Sequence, residues 1–421
     1  MPAFRGMTSS RSADVVVVGG GTVGAWTAVL LAESGVPNVV LIEARTLGDG
    51  ASSRAAGMVR AQGGTETAIK LGLWTQNFYA ASGERFPLDC GFVVQGYLMP
   101  CFTEAEVQQA HERIALQRTL GLQVEWLSGA DIDARQTGLE PGVTLGASYA
   151  PGDGYIDAPR NVLAYTAALT AFGVDVRERC SFTGLRTAGG RVIGVDTSNG
   201  PIDTEHVVLT GGPQLAEVGL TAGGRVPAGG TRHQVVVTAP LPVDVHRLPM
   251  VFDVTSGIYW RPGESGGLLW GMSNPDEPPG VATDFDTVYY RKARDRIEEL
   301  LPAVRGLGLR WSWAATIDYT PDHLPILGPL LTDDGPVDGT VVASPAGHGM
   351  MWGPAVAQVA ADLTTAGHCD WLDLTDLGLD RFDADGNSRV APEPISLPFP
   401  EKAPGPDAEL GRGQAAHPSL P

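Results

Sequence analysis

Three glycines near the start of the chain have the spacing of a phosphate-binding turn. Gly19, Gly21 and Gly24 follow a run of valines and precede a helical stretch. Glycine lets such a turn close tightly and approach a pyrophosphate, and the following helix directs free N–H groups at the anion. Glu43 lies about 20 residues further on, where an acidic side chain binds ribose hydroxyls and repels a 2′-phosphate. The pattern predicts an adenine dinucleotide, either NAD or FAD.

A βαβ unit must position these residues. The apolar run 15–18 predicts a buried strand. Residues 25–33 predict a helix that stops at Gly35, and residues 39–42 predict a second strand. In such a unit the glycine turn and the acidic residue both lie at the carboxyl edge of the sheet. The predicted dinucleotide contacts here are Gly19, Gly21, Thr22, Val23, Gly24, Glu43, Ala44 and Arg45.

The rest of the chain indicates a mixed α/β protein with a second domain inserted into the first. Residues 231–319 are rich in strand patterns apart from one polar helix near 285–302. An Asn-Gly hairpin and a strand at 207–210 are expected to complete the nucleotide sheet. The other predicted helices are at 66–81, after a capping box at Thr103, within 158–178 before a strand, and from Pro354 after a strand and a glycine-rich turn.

Composition limits the class of partner. The 421 residues have a net charge of −19, which repels nucleic acid and anionic membranes and favours a small-molecule substrate. Four cysteines without a CxxC pair indicate neither a disulfide framework nor a zinc site, and we expect no metal. Because no stretch is apolar for the length of a bilayer span and residues 1–13 lack a signal-type core, a cytoplasmic protein is predicted.

Three segments resemble the D-amino-acid oxidase, glycine oxidase and sarcosine oxidase superfamily of flavoproteins. The segment GDGASSRAAGMVR at 48–60 is, by composition alone, only a flexible loop. Far downstream are WAATIDYTPDHLPILGP at 313–329 and SPAGHGMMWGPAVAQVAADL at 344–363. The resemblance extends over residues 13–385 and implies FAD rather than NAD. It places the Gly-His-Gly loop beside the flavin pyrimidine ring, where N–H groups and a helix dipole stabilise the negative charge of a reduced flavin.

The resemblance also implies FAD contacts outside the βαβ unit. Non-covalent attachment is expected, because the linking cysteine of monomeric sarcosine oxidase falls at Ala315 and the linking histidine of the dimethylglycine enzymes at Arg54. The implied contacts are Ala51, Ser52, Ser53, Arg54, Ala56, Gly57, Met58, Gly211, Gly347, His348, Gly349, Met350 and Met351.

The implied fold class is α/β, a Rossmann-like FAD-binding domain with an inserted, mainly antiparallel β-sheet substrate domain plus helices. Residues 386–421, rich in proline and charge, are predicted to form a loosely packed Pro-rich C-terminal tail. The FAD-binding domain is expected at 13–87, 151–225 and 313–385, and the substrate domain at 88–150 and 226–312.

Four residues are candidates for contact with substrate. Arg60 matches an arginine that binds the substrate carboxylate in monomeric sarcosine oxidase, although a surface arginine or a pyrophosphate contact is an alternative. His348 either contacts substrate or shapes the Gly-His-Gly loop. Tyr259 and Arg261 either point into the pocket or belong to an ordinary strand. His233 is a weaker candidate, better explained as a polar residue with a satisfied hydrogen bond.

Other positions depart from the family pattern. The arginine that clamps the amino-acid carboxylate in glycine oxidase falls at Ile317. The lysine that assists oxygen reduction in sarcosine oxidase falls at Leu269, and another pocket lysine at Met351. The usual α-amino-acid anchor is therefore missing, and the two lysine replacements put fast reaction with oxygen in doubt.

The sequence predicts an FAD-dependent amine oxidoreductase. The substrate would be a secondary or N-methylated amine, or an amino or imino acid. A hydride would pass from the carbon next to its nitrogen to flavin N5, and water would then hydrolyse the resulting imine. Oxygen would accept the electrons with release of hydrogen peroxide. The alternatives are a dehydrogenase subunit that passes electrons to a quinone or protein acceptor, and a flavin-bearing interaction protein without turnover. The oligomeric state is left open.

Overall fold

The structure, a computed structural model, describes residues 11–399. In this range the strands are β1 (Val15–Val18), β2 (Val39–Ile42), β3 (Met58–Val59), β4 (Val93–Val94), β5 (Tyr97–Cys101), β6 (Glu125–Ser128), β7 (Gly146–Ala150), β8 (Gly154–Tyr155), β9 (Asp175–Arg177), β10 (Phe182–Ala188), β11 (Arg191–Thr197), β12 (Ile202–Asp203), β13 (His206–Leu209), β14 (Gly229–Thr238), β15 (Met250–Asp253), β16 (Ile258–Pro262), β17 (Leu268–Ser273), β18 (Leu309–Tyr319), β19 (Ile326–Gly328), β20 (Leu331–Thr332), β21 (Gly335–Pro336) and β22 (Thr340–Ser344). The α-helices are α1 (Thr22–Glu33), α2 (Glu66–Arg85), α3 (Glu104–Thr119), α4 (Gly129–Ala134), α5 (Ala158–Ala171), α6 (Leu215–Thr221), α7 (Thr287–Leu300) and α8 (Gly353–Ala366).

The first large sheet is the nucleotide sheet. Its order is β19-β22-β13-β1-β2-β9, and every neighbouring pair is parallel except β19 with β22. Val15 and Val17 of β1 pack against α1, α5 and α8, whereas Val16 and Val18 pack against β11, β12 and α6 on the other face. A strand buried on both faces reads as a continuous apolar run, which explains the four valines.

The second large sheet belongs to the inserted domain. Its order is β18-β14-β17-β16-β15-β5-β7-β6, and only the β5–β15 pair is parallel. Alternate residues of a strand face opposite sides of a sheet. Trp260 and Trp270 accordingly pack with α7 on the outer face, and Tyr259 and Leu269 lie in a second apolar cluster on the inner face. The inner face is the one turned toward the nucleotide sheet and its glycine turn.

The predicted fold class is confirmed, with two differences in detail. The hairpin near the Asn-Gly turn, β11–β12, joins β10 in a separate three-stranded sheet, so of the hairpin and the strand expected to complete the nucleotide sheet only the strand, β13, does so. Strand β18 pairs with β14 along its length and crosses the expected domain boundary at residue 313, because strand pairing continues past it. The other boundaries stay predictions. None of the helices between residues 11 and 399 is long and apolar enough to cross a membrane.

The expectation of a loosely packed tail from residue 386 is wrong for residues 393–399. Glu393, Ile395 and Phe399 are buried, and Ile395 packs into the inner apolar cluster of the inserted sheet. Proline and charge suggested a solvated tail, but tertiary contacts on the rest of the protein decide the packing here. Residues 400–421 of the predicted tail, and residues 1–10 at the start, lie outside the described range.

A buried ion pair holds the chain just before this segment. Both side chains of the Asp322–Arg381 pair are inaccessible to solvent; Arg381 Nε lies 2.6 Å from Asp322 Oδ2 and Nη2 lies 3.0 Å from Oδ1. Ser388 also donates to Asp322, at 2.6 Å. Burial tends to raise the pKa of Asp322, but the hydrogen bonds and charge of Arg381 outweigh it, and the pKa is lowered.

We predict that Asp322→Asn lowers the free energy of unfolding by about 3 kcal/mol, because it leaves the buried Arg381 cation without its counter-charge. Urea unfolding followed by tryptophan fluorescence measures the change. The matched control is Glu66→Gln, which breaks an exposed i,i+4 pair with Lys70 and should cost less than about 1 kcal/mol. Equal effects of the two variants would contradict the assignment of Asp322–Arg381 as a structural anchor.

Candidate functional site

A single elongated cavity of about 540 Å³ runs from the glycine turn after β1 to the inner face of the inserted sheet. Nearly all of the predicted contact residues lie in its walls, although they come from four separate parts of the chain. The predicted residues that line it are Gly19, Gly21, Thr22, Val23, Gly24, Glu43, Ala44, Arg45, Ala51, Ser52, Ala56, Gly57, Met58, Arg60, Gly211, Tyr259, Gly347, His348, Gly349, Met350 and Met351.

At one end, the turn after β1 needs glycine for steric reasons. Gly19 has a φ of +102°, in the left-handed region. A Cβ on Gly24 would lie 2.0 Å from the Gly19 carbonyl oxygen, so helix α1 approaches the turn more closely than any side chain permits. The turn therefore presents bare backbone to the cavity, as the spacing of the glycines predicted.

Glu43 is held by backbone rather than by another side chain. Its Oε2 accepts a hydrogen bond from Gly20 N at 2.7 Å and its Oε1 from Arg45 N at 2.8 Å. A carboxylate has about four lone-pair sites, so acceptor capacity is left over on the side that lines the cavity. This leftover capacity matches a pair of ribose hydroxyl donors.

The loop between β22 and α8 forms a wall further along the cavity. Gly347 has a φ of +83°, and a Cβ there would lie 2.7 Å from the Asp318 carbonyl oxygen. The buried Asp318 carboxylate accepts from Ser344 Oγ at 2.9 Å and from Gly347 N, and burial raises its pKa. His348 Nδ1 donates to the Ala346 carbonyl at 2.8 Å, and burial lowers the pKa of His348 to about 3. His348 is therefore neutral and leaves Nε2 as an acceptor.

The inner face of the inserted sheet contributes a hydrogen-bonded chain of three side chains. His233 Nε2 bonds to the Tyr259 hydroxyl, and His233 Nδ1 lies 2.7 Å from Ser273 Oγ. Burial lowers the pKa of His233 to about 4 and raises that of Tyr259. Both His233 and Tyr259 line the cavity. His233 is thus a polar residue with satisfied hydrogen bonds, as expected, and it also lies in the cavity wall beside Tyr259.

Arg60, just after β3, brings a positive charge into the same space. Only 3% of the residue is exposed, and its Nη1 and Nη2 each lie 2.5 Å from a carbonyl oxygen, of Gln62 and Ile395 respectively. Burial lowers its pKa, against the attraction of Tyr97, Glu393 and Asp153. Among residues 11–399, no carboxylate lies within 4.0 Å of its guanidinium. Arg60 is therefore a buried cation that borders a cavity without a direct ion pair.

Three predicted site residues do not line the cavity. Arg261 faces the same side as Tyr259, but its Nε donates to the Ala56 carbonyl at 2.6 Å and its guanidinium stacks over Tyr155. Arg54 donates to Gly50 O at 2.8 Å and pairs with Asp49. Ser53 is also absent from the cavity wall. Arg261 does not line the cavity because its long side chain turns back to the 48–60 loop, where it donates to the Ala56 backbone carbonyl.

Several wall residues were not predicted. Tyr97, Phe252 and Leu397 complete the substrate-side wall with the neutral Ile317, and Gln214, Glu217 and Phe182 lie toward the nucleotide end. Tyr97 and Phe252 lie on strands, where periodicity does not separate a residue facing a core from one facing a cavity. Leu397 lies in proline-rich sequence that carries no periodic signal.

Comparison with known proteins identifies the family. The family model described as DAO, FAD dependent oxidoreductase, matches residues 14–363. The chain belongs to this family. FAD binding and an oxidoreductase class follow from the family, which is the one that the three resembling segments indicated.

The relatives give the context of this assignment. The chain is 29% identical to a glycine oxidase of Geobacillus kaustophilus over 83% of this chain and 92% of that protein. It is 27% identical to 4-methylaminobutanoate oxidase (formaldehyde-forming) of Paenarthrobacter nicotinovorans and 26% identical to mouse mitochondrial sarcosine dehydrogenase, over 89% and 75% of this chain. It spans only 46% and 36% of the lengths of those two proteins.

Solved structures of similar proteins share the fold. The L-proline dehydrogenase of P. horikoshii superposes with a TM-score of 0.79 at 25% identity, over 86% of this chain and 96% of that one. The Geobacillus kaustophilus glycine oxidase superposes with a TM-score of 0.77 at 26% identity, over 88% and 99%. Both matches include the inserted sheet as well as the nucleotide sheet, since they cover most of each chain.

The cavity fits FAD on its own geometry. Helices α1 and α8 both begin at the cavity and, among residues 11–399, neither has a side-chain N-cap, whereas α2, α3, α5 and α7 each do. The Thr22 N–H of α1 donates to Ser52 Oγ at 2.9 Å and the Gly353 N–H of α8 donates to the Gly349 carbonyl at 3.1 Å. The remaining N–H donors of the first turns and the positive dipole ends are left for an anion. The glycine turn and α1 are placed to hold the pyrophosphate of FAD, and Glu43 is placed to hold the ribose. The Gly347–Met351 loop and α8 are placed to hold the flavin ring.

We predict that Gly24→Ala reduces the affinity for FAD at least tenfold, because the new Cβ would collide with Gly19 O and push α1 away from the turn. The ratio of flavin to protein absorbance after purification measures bound FAD, and circular dichroism checks folding. Gly152→Ala is the matched control, because nothing lies within 4 Å of the Cβ it would introduce. A folded Gly24→Ala protein with a full FAD content would overturn this role for the turn.

Proposed function

We propose that the chain is an FAD-dependent amine oxidoreductase whose substrate is a secondary or N-methylated amine, or an amino or imino acid, that carries a carboxylate. The observation that carries the proposal is Arg60, a buried cation that borders the cavity and has no direct ion pair. Burying an unpaired charge is costly unless a partner supplies the opposite charge. A substrate carboxylate is that partner, and the guanidinium fork is suited to hold it.

The relatives support the same substrate class. The names 4-methylaminobutanoate oxidase, sarcosine dehydrogenase and glycine oxidase each specify a compound with an amine nitrogen and a carboxylate. Ile317 lines the cavity and cannot clamp a carboxylate, so Arg60 is left to do so. 4-Methylaminobutanoate has a longer spacer between the nitrogen and the carboxylate than glycine, sarcosine or proline, and proline differs from glycine and sarcosine in its cyclic amine, so the named compounds support a carboxylate anchor but no single spacer or amine type.

Bound FAD supplies a two-electron acceptor for the hydride of the carbon beside the amine nitrogen, and it is proposed to be held non-covalently. The chain's own residues prepare the substrate. Arg60 orients the carboxylate and, as a nearby cation in a buried space, disfavours a protonated amine. His233 and His348 stay neutral at pH 7, because burial lowers the pKa of each to about 4 and about 3. We propose that the amine reacts in its neutral form, in which its lone pair can support the developing imine.

The electrons are proposed to pass to oxygen with release of hydrogen peroxide. A second candidate is a dehydrogenase that delivers them to a quinone or a protein acceptor. The observation in its favour is that Leu269 is buried in an apolar cluster and that Met351 is the residue in the cavity wall where a pocket lysine is expected. Hydrogen peroxide yield in air, measured on the purified holoprotein after addition of a substrate that reduces it, separates the two.

The proposal predicts that sarcosine, proline or 4-methylaminobutanoate bleaches the visible flavin absorbance without oxygen. The matched amines without a carboxylate, such as dimethylamine or pyrrolidine, should bleach it at least 100-fold more slowly, because they cannot pair with Arg60. Stopped-flow absorbance measures both rates. If no carboxylate-bearing secondary amine or amino acid reduces the flavin, the proposed function is wrong.

Substitution of Arg60 tests the anchor directly. We expect Arg60→Ala to raise KM by about 100-fold with a smaller effect on kcat, and Arg60→Lys to recover part of this loss, because lysine keeps the charge but not the fork. Arg232→Lys is the control: Arg232 is mostly buried but pairs with Glu277 at 2.7 Å, and it lies outside the cavity wall. An unchanged KM in Arg60→Ala would rule out the carboxylate anchor.

A further inference from the structure

The last described residues, 393–399, run along the substrate end of the cavity, which Leu397 lines, and we call this segment the strap. The Glu393 carboxylate accepts from Gly64 N at 2.7 Å and from Thr65 Oγ1 at 2.6 Å, which fastens one end to the start of α2. At the other end Phe399 stacks on Tyr319, with ring centroids 5.7 Å apart. The strap is thus attached to both the nucleotide domain and the end of strand β18.

The strap also holds Arg60. The carbonyl oxygen of Ile395 accepts from Arg60 Nη2 at 2.5 Å, and the only other hydrogen-bond acceptor of this guanidinium within residues 11–399 is the Gln62 carbonyl. Ile395 itself is 1% exposed and packs with Phe252 and Tyr259 in the inner apolar cluster. One of the two bonds that orient the cation therefore comes from the strap backbone.

Two residues beyond Ile395, the strap presents a side chain to the cavity. Leu397 lines it together with Tyr97, Phe252 and Ile317, and packs on the edge of the inner apolar cluster. Around Arg60 this wall consists of aliphatic and aromatic carbon, apart from the hydroxyls of Tyr97 and Tyr259 and the imidazole of His233. A polar substrate group placed against Leu397 would lose its hydrogen bonds to water without replacement, which is unfavourable.

We propose that the strap forms one wall of the substrate cavity and that Leu397 sets the size of the apolar group accepted beside the carboxylate bound by Arg60. This inference rests on the proposed function, in which Arg60 binds the substrate carboxylate. It adds that Leu397 is a specificity-determining residue and that the strap positions Arg60. The family match ends at residue 363, so the selectivity comes from a part of the chain outside the matched region.

Binding of straight-chain carboxylates from acetate to hexanoate tests the proposal without turnover, because these probes lack the amine. Perturbation of the flavin spectrum of the holoprotein gives each Kd. In the natural protein, we expect the Kd to fall about fourfold with each added methylene until the chain meets Leu397, and then to rise. Leu397→Ala should move the tightest-binding probe to a longer chain, and Leu397→Phe to a shorter one.

Val390→Ala is the matched control, since Val390 precedes the strap and packs on the nucleotide-domain core rather than in the cavity wall. It should leave the order of the probes unchanged and each Kd within about twofold. Because Leu397 is only partly buried, its variants should keep the thermal unfolding midpoint close to that of the natural protein. If Leu397→Ala and Leu397→Phe both keep the natural chain-length optimum, or if no carboxylate binds, the proposal is overturned.

The outcomes also separate this proposal from the proposed function. If the probes bind and shift with Leu397 while no amine reduces the flavin, the strap inference stands and amine oxidation fails. If carboxylate-bearing amines reduce the flavin while the Leu397 variants leave the size optimum in place, amine oxidation stands and the strap inference fails.

Discussion

The buried charge of Arg60 is the constraint on which the substrate end of the protein depends. Desolvation opposes the charge and lowers the pKa of Arg60, yet an arginine keeps its proton at any physiological pH. Two carbonyl oxygens and the more distant Asp153 and Glu393 offset only part of that cost. In the proposed function a substrate carboxylate offsets the remainder, so that the desolvation cost of Arg60 in the free protein would favour binding of the substrate.

Several parts of the chain meet in order to hold this cation. Asp153, between β7 and β8, accepts from Ala61 N at 2.9 Å and from Gln62 Nε2 at 3.2 Å, and so fixes the backbone on the far side of Arg60. Burial raises the pKa of Asp153 to about 6, against the hydrogen bonds it accepts and the charge of Arg60. The strap closes the other side through Ile395. The nucleotide domain, the inserted domain and the strap therefore all contribute groups that interact with Arg60, and these interactions help to fix the three parts relative to one another.

The sequence predicted best what is encoded locally. The glycine spacing and the valine run specified the first βαβ unit, and Thr103 with Glu106 specified the start of α3, where both capping-box hydrogen bonds are present. The residues that pattern reasoning missed depend on tertiary packing. Leu397 and Ile395 lie among prolines, with no period to mark them as buried, and Arg261 turns away from the cavity because the Ala56 carbonyl accepts from it. The packing of residues 395 and 397 in the inner apolar cluster and the hydrogen bond from Arg261 to Ala56 both join residues that are far apart in the sequence.

Arg60 also bears on the choice of electron acceptor. Reduction of oxygen places negative charge on it in a buried space, and a nearby cation stabilises that charge. At the substrate end of the cavity, within residues 11–399, Arg60 is the cation in the wall, since His233 and His348 are neutral and Leu269 and Met351 carry no charge. In the proposed function the substrate carboxylate occupies the same guanidinium. One cation cannot fully serve both anions at once, so the arrangement favours either oxygen reduction after the product has left or transfer to an acceptor that needs no cation in the cavity.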